Sequence, residues 1–295
     1  MNGYEKCSLC ARRCGIDRRN TVGYCVASID VSIARAALHF WEEPPISGEM
    51  GSGTIFFSGC SLSCVFCQNR EISRGRAGKS GTVERLAEIM LELQAKGAHN
   101  INLVTPTHYI PSVAEAVRIA KQQHLSVPVV YNTGSYDTPD ALKLLDGLVD
   151  IYLPDMKYYT SKTAEAYSNA ANYPEAAKAA IAEMFRQVGE PTFDEKGIMK
   201  KGLIVRILLL PGHVAEAKLC LKYLLDTYGD KIYISLMNQY TPMPNMKPPL
   251  NRRVTYEEYA QLTDYAERLG LTNGFTQEFG TASESFIPPF DGSGI

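Results

Sequence analysis

From residue 54 onward, short apolar runs rich in β-branched and aromatic residues alternate with longer stretches whose apolar positions recur every three to four residues. That switching between a strand period and a helix period is the pattern of successive βα units. The runs cover 54–57, 100–104, 127–131, 148–153, 203–210 and 231–236, with a short seventh at 274–276. Between them, Val83, Leu86, Ala87, Met90 and Leu91 share one helical face, as do Ala217, Cys220, Leu221, Leu224, Leu225 and Tyr228. The second stripe makes Cys220 a small core residue. Thr255 with Glu258 has the spacing of a capping box, and Thr138-Pro139 reads as an N-cap followed by proline at the first helical position.

Six or seven such units are too many for a small sheet, and a barrel of parallel strands and helices takes about 250 residues. The expected fold is α/β: a partial TIM-type (β/α)6 barrel over residues 51–295, preceded by a small Cys-rich metal-binding extension over residues 1–50. Residues 158–202 exceed one crossover helix and are expected to form an elaborated crossover or lid. Residues 238–253 hold four prolines and form a long loop after the sixth strand, on the face where barrel active sites lie.

Composition narrows the partners. The chain has 295 residues, 45% hydrophobic and 21% charged, with a net charge of −2 and no long block of one sign. Nothing in it favours nucleic acid or an anionic membrane. The opening residues lack the apolar stretch of a secretory signal, and the strongest apolar run is interrupted by Arg206, so a cytoplasmic protein is expected. In a reducing compartment, eight cysteines read as metal ligands or reactive thiols rather than disulfides.

Seven of them lie within the first 67 residues. Cys60, Cys64 and Cys67 follow the first run directly, so three thiolates share one tight loop. A triplet at this spacing suits part of a zinc site or three corners of an iron–sulfur cubane, which normally takes four cysteines. With no fourth cysteine nearby, one iron of a cubane stays open to a substrate or cofactor.

The spacing Cys-x3-Cys-x-aromatic-Cys resembles the signature of the radical S-adenosylmethionine (SAM) superfamily, with Phe66 at the aromatic position that packs near adenine. Cys67-Gln68-Asn69 and the ends of later strands look like the pyruvate formate-lyase activating enzyme group and its uncharacterised relatives. The resemblance implies a 4Fe-4S cluster held by Cys60, Cys64 and Cys67. It implies SAM chelated to the open iron, and reductive cleavage of SAM to a 5′-deoxyadenosyl radical. It further implies an oxidoreductase served by an electron donor such as flavodoxin or ferredoxin, which abstracts hydrogen from a protein partner, a glycine in the activating enzymes. A small molecule or another peptide residue is the alternative target, and a non-catalytic electron carrier the third.

If the strands form a barrel, their carboxyl ends surround SAM. Asn102, Thr105 and Thr107 stand where many family members have a Gly-Gly-Glu motif, a departure that replaces a carboxylate with neutral acceptors. Asn69 and Asn132 add amides. Asp155-Met156-Lys157 resembles the Asp-Leu-Lys of the activating enzymes, giving Asp155 a role toward ribose or a cation and Lys157 one toward a carboxylate. Arg206, charged within an apolar run, must be paired or face an anion. His213, after a Pro-Gly pair, is a candidate ligand contact or proton-transfer group.

Cys7, Cys10, Cys14 and Cys25 form a second set. Four thiolates satisfy one tetrahedral metal without an open position, as in structural zinc, and the same ligands also take iron, singly or as an auxiliary cluster. Activating enzymes show a similar Cys-rich opening.

Overall fold

The computed structural model describes residues 3–278 and 288–295. Strand β1 (Val31–His39) runs antiparallel to β2 (Ser52–Phe57), and β3 (Lys79–Gly81) pairs with the first residues of β1. Then come β4 (Ile101–Val104), β5 (Val129–Thr133), β6 (Ile151–Pro154), β7 (Thr192–Phe193), β8 (Met199–Leu208), β9 (Tyr233–Met237) and β10 (Gly274–Thr276). The sheet order is β10-β9-β8-β6-β5-β4-β2-β1-β3, parallel from β2 through β10, with β7 a short hairpin partner of β8. This is the expected partial barrel.

Every residue of β2, β4, β5 and β6 is buried, which is why these runs are apolar on both faces. The helix Val83–Ala95 buries Leu86, Ala87, Ile89, Met90 and Leu93, and the helix Val214–Tyr228 buries Ala217, Cys220, Leu221, Leu224 and Tyr228. The capping box of Thr255 and Glu258 opens the helix Tyr256–Arg268, and the Thr138 hydroxyl accepts from the Ala141 amide. Among the described residues no helix is long and apolar enough to cross a membrane.

Four strands start later than their apolar runs, β4, β5, β6 and β9, and for two of them the reason is plain. Pro128 has no N–H for the ladder, and β5 begins where the Val129 amide donates to the Asp150 carboxylate. Leu148 is held in a turn by Leu145, so β6 waits until Ile151. Residues 158–202 form a crossover of two helices, Ser161–Ser168 and Tyr173–Val188, and the β7 hairpin. The longer helix buries Tyr173, Ala177, Ala180, Ile181, Met184 and Val188.

The sheet also begins before residue 50, because β1 lies within residues 1–50 and pairs with β2 from Ile33 to His39. Backbone hydrogen bonds from Gly292 to Ala34 and from Ala36 to Ser293 bring the end of the chain to β1. Since β1 descends beside β2, His39 reaches the amino end of the barrel, and the segment after it crosses beneath the strands.

Candidate active site

The carboxyl ends of the parallel strands and the segment below them enclose a cavity of about 560 Å3, within the range of small-molecule sites. Cys60, Cys64 and Cys67 line it, brought there by the loop that leaves β2. That loop needs unusual backbone. Gly59 has φ +94, and a Cβ there would meet the Cys25 carbonyl oxygen at 2.6 Å. Ser63, Thr105 and Ser135, in the turns after β2, β4 and β5, have φ of 56, 59 and 62. Such left-handed non-glycine residues cost about 1–3 kcal/mol each and gather at functional sites.

The cysteine sulfurs are supported by donors: the Leu62 amide to Cys60 Sγ at 3.4 Å, and the Ser168 hydroxyl to Cys64 Sγ at 2.9 Å. Burial, together with the neighbouring thiols, pushes the Cys67 thiol up to about 12 and also raises Cys60. Unaided, these groups stay protonated at neutral pH, so forming thiolates here calls for a cation. Among the described residues no three Cys, His, Asp or Glu side chains form a group that would hold a metal ion. A single zinc ion, with Zn–S about 2.3 Å, would need sulfurs drawn to about 3.8 Å from one another. Three soft sulfur donors on one loop match the ligand chemistry of an iron–sulfur cluster. Cys7, Cys10 and Cys25 are buried and Cys14 is exposed. Burial pushes Cys10 up to about 12, with Cys25, Cys14 and Cys7 near enough to add to the rise. Their donor chemistry fits a metal, though they are not drawn around one point.

Arg12 ties this amino-terminal segment to the cysteine loop. Its Nε donates to the Ser61 carbonyl at 3.0 Å, its other nitrogens to the Ser168 and Asn169 carbonyls, and its guanidinium lies over the Tyr24 ring.

Below the cysteines runs a chain of ions. Lys157 Nζ donates to Asp155 Oδ2 at 2.5 Å, and Arg206 Nε to Asp155 Oδ1 at 2.7 Å. Arg206 continues to Asn132 Oδ1 at 2.6 Å and Glu42 Oε2 at 3.3 Å. Burial works against the Asp155 charge, but Arg206 and Lys157 outweigh it and hold the carboxyl below its usual value. Burial would likewise lower Lys157, and Asp155 and Cys64 keep it raised. Deeper still, burial pushes Glu43 up to about 6 despite the attraction of Arg206.

Phe66, Asn69, Thr105, Thr107, Asn132, Asp155, Lys157 and Arg206 all line the cavity with the three cysteines. Phe66 is packed edge-on among Tyr158, Tyr167 and Tyr240. Two expected residues stand elsewhere. Asn102 lies two positions below Val104, the residue of its strand face that lines the cavity, and donates to Glu42 Oε1 at 2.9 Å. His213 stands outside this cavity, on a small neighbouring pocket that it shares with Lys157 and Glu216, where the imidazole bonds the Tyr167 hydroxyl at 2.7 Å. The sequence reading also missed Glu42 and Glu43, whose lead was two acids directly after a weak alternation at 31–39. It missed Asp137 as well, which accepts from the Tyr131 and Thr133 hydroxyls at 2.7 Å each behind the cavity wall.

Residues 54–217, more than half of the chain, match the family model of the radical SAM superfamily. The chain belongs to this superfamily. It is 28% identical over 284 residues to an uncharacterised protein of Methanocaldococcus jannaschii, covering 92% of this chain and 77% of that one. Its fold is similar to the structure of Streptococcus suis SuiB bound to S-adenosylmethionine (TM-score 0.52, 14% identity, 77% of this chain and 52% of that one). It is also similar to anSMEcpe with bound AdoMet and the Cp18Cys peptide (TM-score 0.51, 11% identity, 74% and 60%). The chain thus spans about half to three fifths of those two structures. Membership of the radical SAM superfamily implies SAM and a 4Fe-4S cluster, and the cysteine loop falls inside the matched segment.

Proposed function

We propose that this radical SAM enzyme holds a 4Fe-4S cluster on Cys60, Cys64 and Cys67, binds SAM beside it, and removes a hydrogen atom from a substrate in the same cavity. One observation carries the reading: the three thiols of one loop face a cavity that also holds the buried Lys157–Asp155–Arg206 chain. When bound, cluster and SAM supply an electron and a hydrogen-abstracting 5′-deoxyadenosyl radical. The protein supplies placement and shielding. The Leu62 amide and Ser168 hydroxyl orient and tune the sulfurs. Phe66 and its ring of tyrosines offer an aromatic wall for adenine. Lys157, anchored by Asp155, presents a positive charge to a carboxylate, and Asn69, Thr105, Thr107 and Asn132 present neutral hydrogen-bonding groups.

The hydrogen donor is a glycine of a protein partner, as the resemblance to activating enzymes implies, or a small molecule. The cavity's volume, within the range of small-molecule sites, favours the small molecule. A flavodoxin- or ferredoxin-like protein is the electron donor, and Cys7, Cys10, Cys14 and Cys25 hold a second metal, zinc or iron. The test is anaerobic reconstitution followed by measurement of 5′-deoxyadenosine from SAM. Wild type should form it, and Cys64→Ala should lose both the cluster's absorption and the product. A Cys60/Cys64/Cys67 triple variant that still cleaves SAM would refute the reading.

A further inference from the structure

Resting on that reading, the question left open is the substrate, and the floor of the cavity bears on it. The charged residues described along the wall are Glu42, Glu43, Asp155, Lys157 and Arg206, so carboxylates outnumber cations by one. His39, also on the wall, is held toward neutrality by burial and by Arg35. Asp155 is shared between Lys157 and Arg206, and Glu42 has Arg206 and the Asn102 amide. Glu43 is the surplus. It is only 7% exposed; the Ser235 hydroxyl supports its carboxylate, and its Oε2 has no hydrogen-bond partner among the described residues.

A buried carboxylate oxygen left open on a cavity wall is costly unless something arrives to use it. Its position says what arrives. Glu43 follows β1, whose His39 pairs with Ser52 at the start of β2, whereas the cysteine loop follows the end of β2. The Glu43 side chain reaches Ser235, which pairs with Arg206 across β8 and β9, so it lies past the Lys157–Asp155–Arg206 chain from the cysteine loop. The cluster side of that chain carries the cation, Lys157, and its other side carries the free anion, Glu43. The wall beside Glu43 is apolar and aromatic: Phe275 is level with Ser235 on the neighbouring strand, and Phe56 packs edge-on against His39.

We infer that Glu43 anchors a cationic nitrogen of the substrate, a small molecule carrying a primary amine or guanidine on a flat apolar body. The amine sits at the floor, and the apolar body extends upward toward the site of hydrogen abstraction.

The experiment is calorimetric titration of the reconstituted, SAM-bound protein at pH 7.5 with three isosteres: 2-phenylethylamine, 2-phenylethanol and 3-phenylpropanoate. N-acetyl-lysine methylamide, which offers the same ammonium from a peptide backbone, forms a fourth arm. A charge-assisted contact predicts that the amine binds about ten- to a hundredfold tighter than the alcohol or the acid. It should also bind tighter than the lysine derivative, whereas the reverse order would replace the small molecule with a protein side chain and overturn the substrate class. In Glu43→Gln the preference for the amine should vanish. Wild type that cleaves SAM but binds the three isosteres alike overturns the anchor while leaving the proposed chemistry standing, and this comparison holds even if the variant fails to fold. Glu43→Gln that keeps the amine preference, or that loses only SAM affinity, also overturns it.

Discussion

Glu43 should be a residue the fold would be more stable without. Burial shifts its carboxyl from an ordinary 4.5 to about 6. At about 1.36 kcal/mol per pH unit, the ionised side chain therefore weakens the folded state by about 2 kcal/mol. The sign follows from proton counts. Between pH 4.5 and 6 the native state holds more of this proton than the unfolded chain, so wild type loses stability as pH rises through that window and the deficit is complete above it. Glu43→Gln, similar in shape and uncharged, removes the titration. Denaturant unfolding of wild type and variant at pH 7.5 should show the variant more stable by about 1–2 kcal/mol, a gap that closes by about pH 4.5. A variant that is less stable at pH 7.5, or a gap of equal size at both pH values, would refute the reasoning. Stabilisation combined with loss of amine binding is the mark of a group kept for function at the expense of the fold.

Arg206→Met should destabilise by about 3–5 kcal/mol, because it leaves Asp155 and Glu42 as buried carboxylates without their shared cation. Denaturant unfolding checks this, and a loss under about 1 kcal/mol would show that the pairing contributes little. His108 donates from Nε2 to the Ser58 carbonyl at 2.8 Å, and burial lowers its pKa to about 3. Because the folded value lies below the ordinary 6.5, its contribution is present above pH 6.5 and is lost as pH falls toward 3. Wild type should therefore lose about 2 kcal/mol more than His108→Gln between pH 7 and pH 5, and parallel pH profiles would contradict this. A protein lacking Cys60, Cys64 and Cys67 should still retain about one zinc, or iron instead, on its amino-terminal cysteines by elemental analysis. A metal-free result would leave that set without its proposed role.

The cysteine loop and the strand-end residues could be read from sequence because charged and thiol residues stand out where apolar runs stop. Asp155 and Lys157 were located at the end of an apolar run and by their resemblance to the activating enzymes, Arg206 by its charge within such a run, and all three line the cavity. The failures have a common source. In a strand, side-chain height follows residue count, and Asn102, two residues short of Val104, sits about one pleat too low to reach the cavity. His213 bonds the Tyr167 hydroxyl of the crossover helix, a partner far away in sequence that residue type does not reveal. β1 was hidden because its short alternation is diluted by alanines and its antiparallel run does not belong to the βα rhythm. With β1 hidden, nothing indicated that Glu42 and Glu43 pass beneath the barrel; two acids before two prolines look like a solvated turn.

The order of charges along the lumen argues for two ligands in line. Lys157, Asp155, Arg206 and Glu42 alternate in sign through contacts of 2.5, 2.7 and 3.3 Å, so each interior ion is flanked by its opposite. Compensation is incomplete only at the ends. At the top, Lys157 faces the cysteine sulfurs, which carry negative charge when they bind a metal cluster, and its charge can also serve an incoming carboxylate. At the bottom, Glu43 has no ion pair of its own among the described residues, only the Ser235 hydroxyl and the pull of an arginine already engaged twice over. Burying such a chain brings the fold little net stability compared with apolar packing. What it does provide is direction. A zwitterionic cofactor is drawn to one end and a cation to the other, and the atoms between them are held in register along the chain of ions.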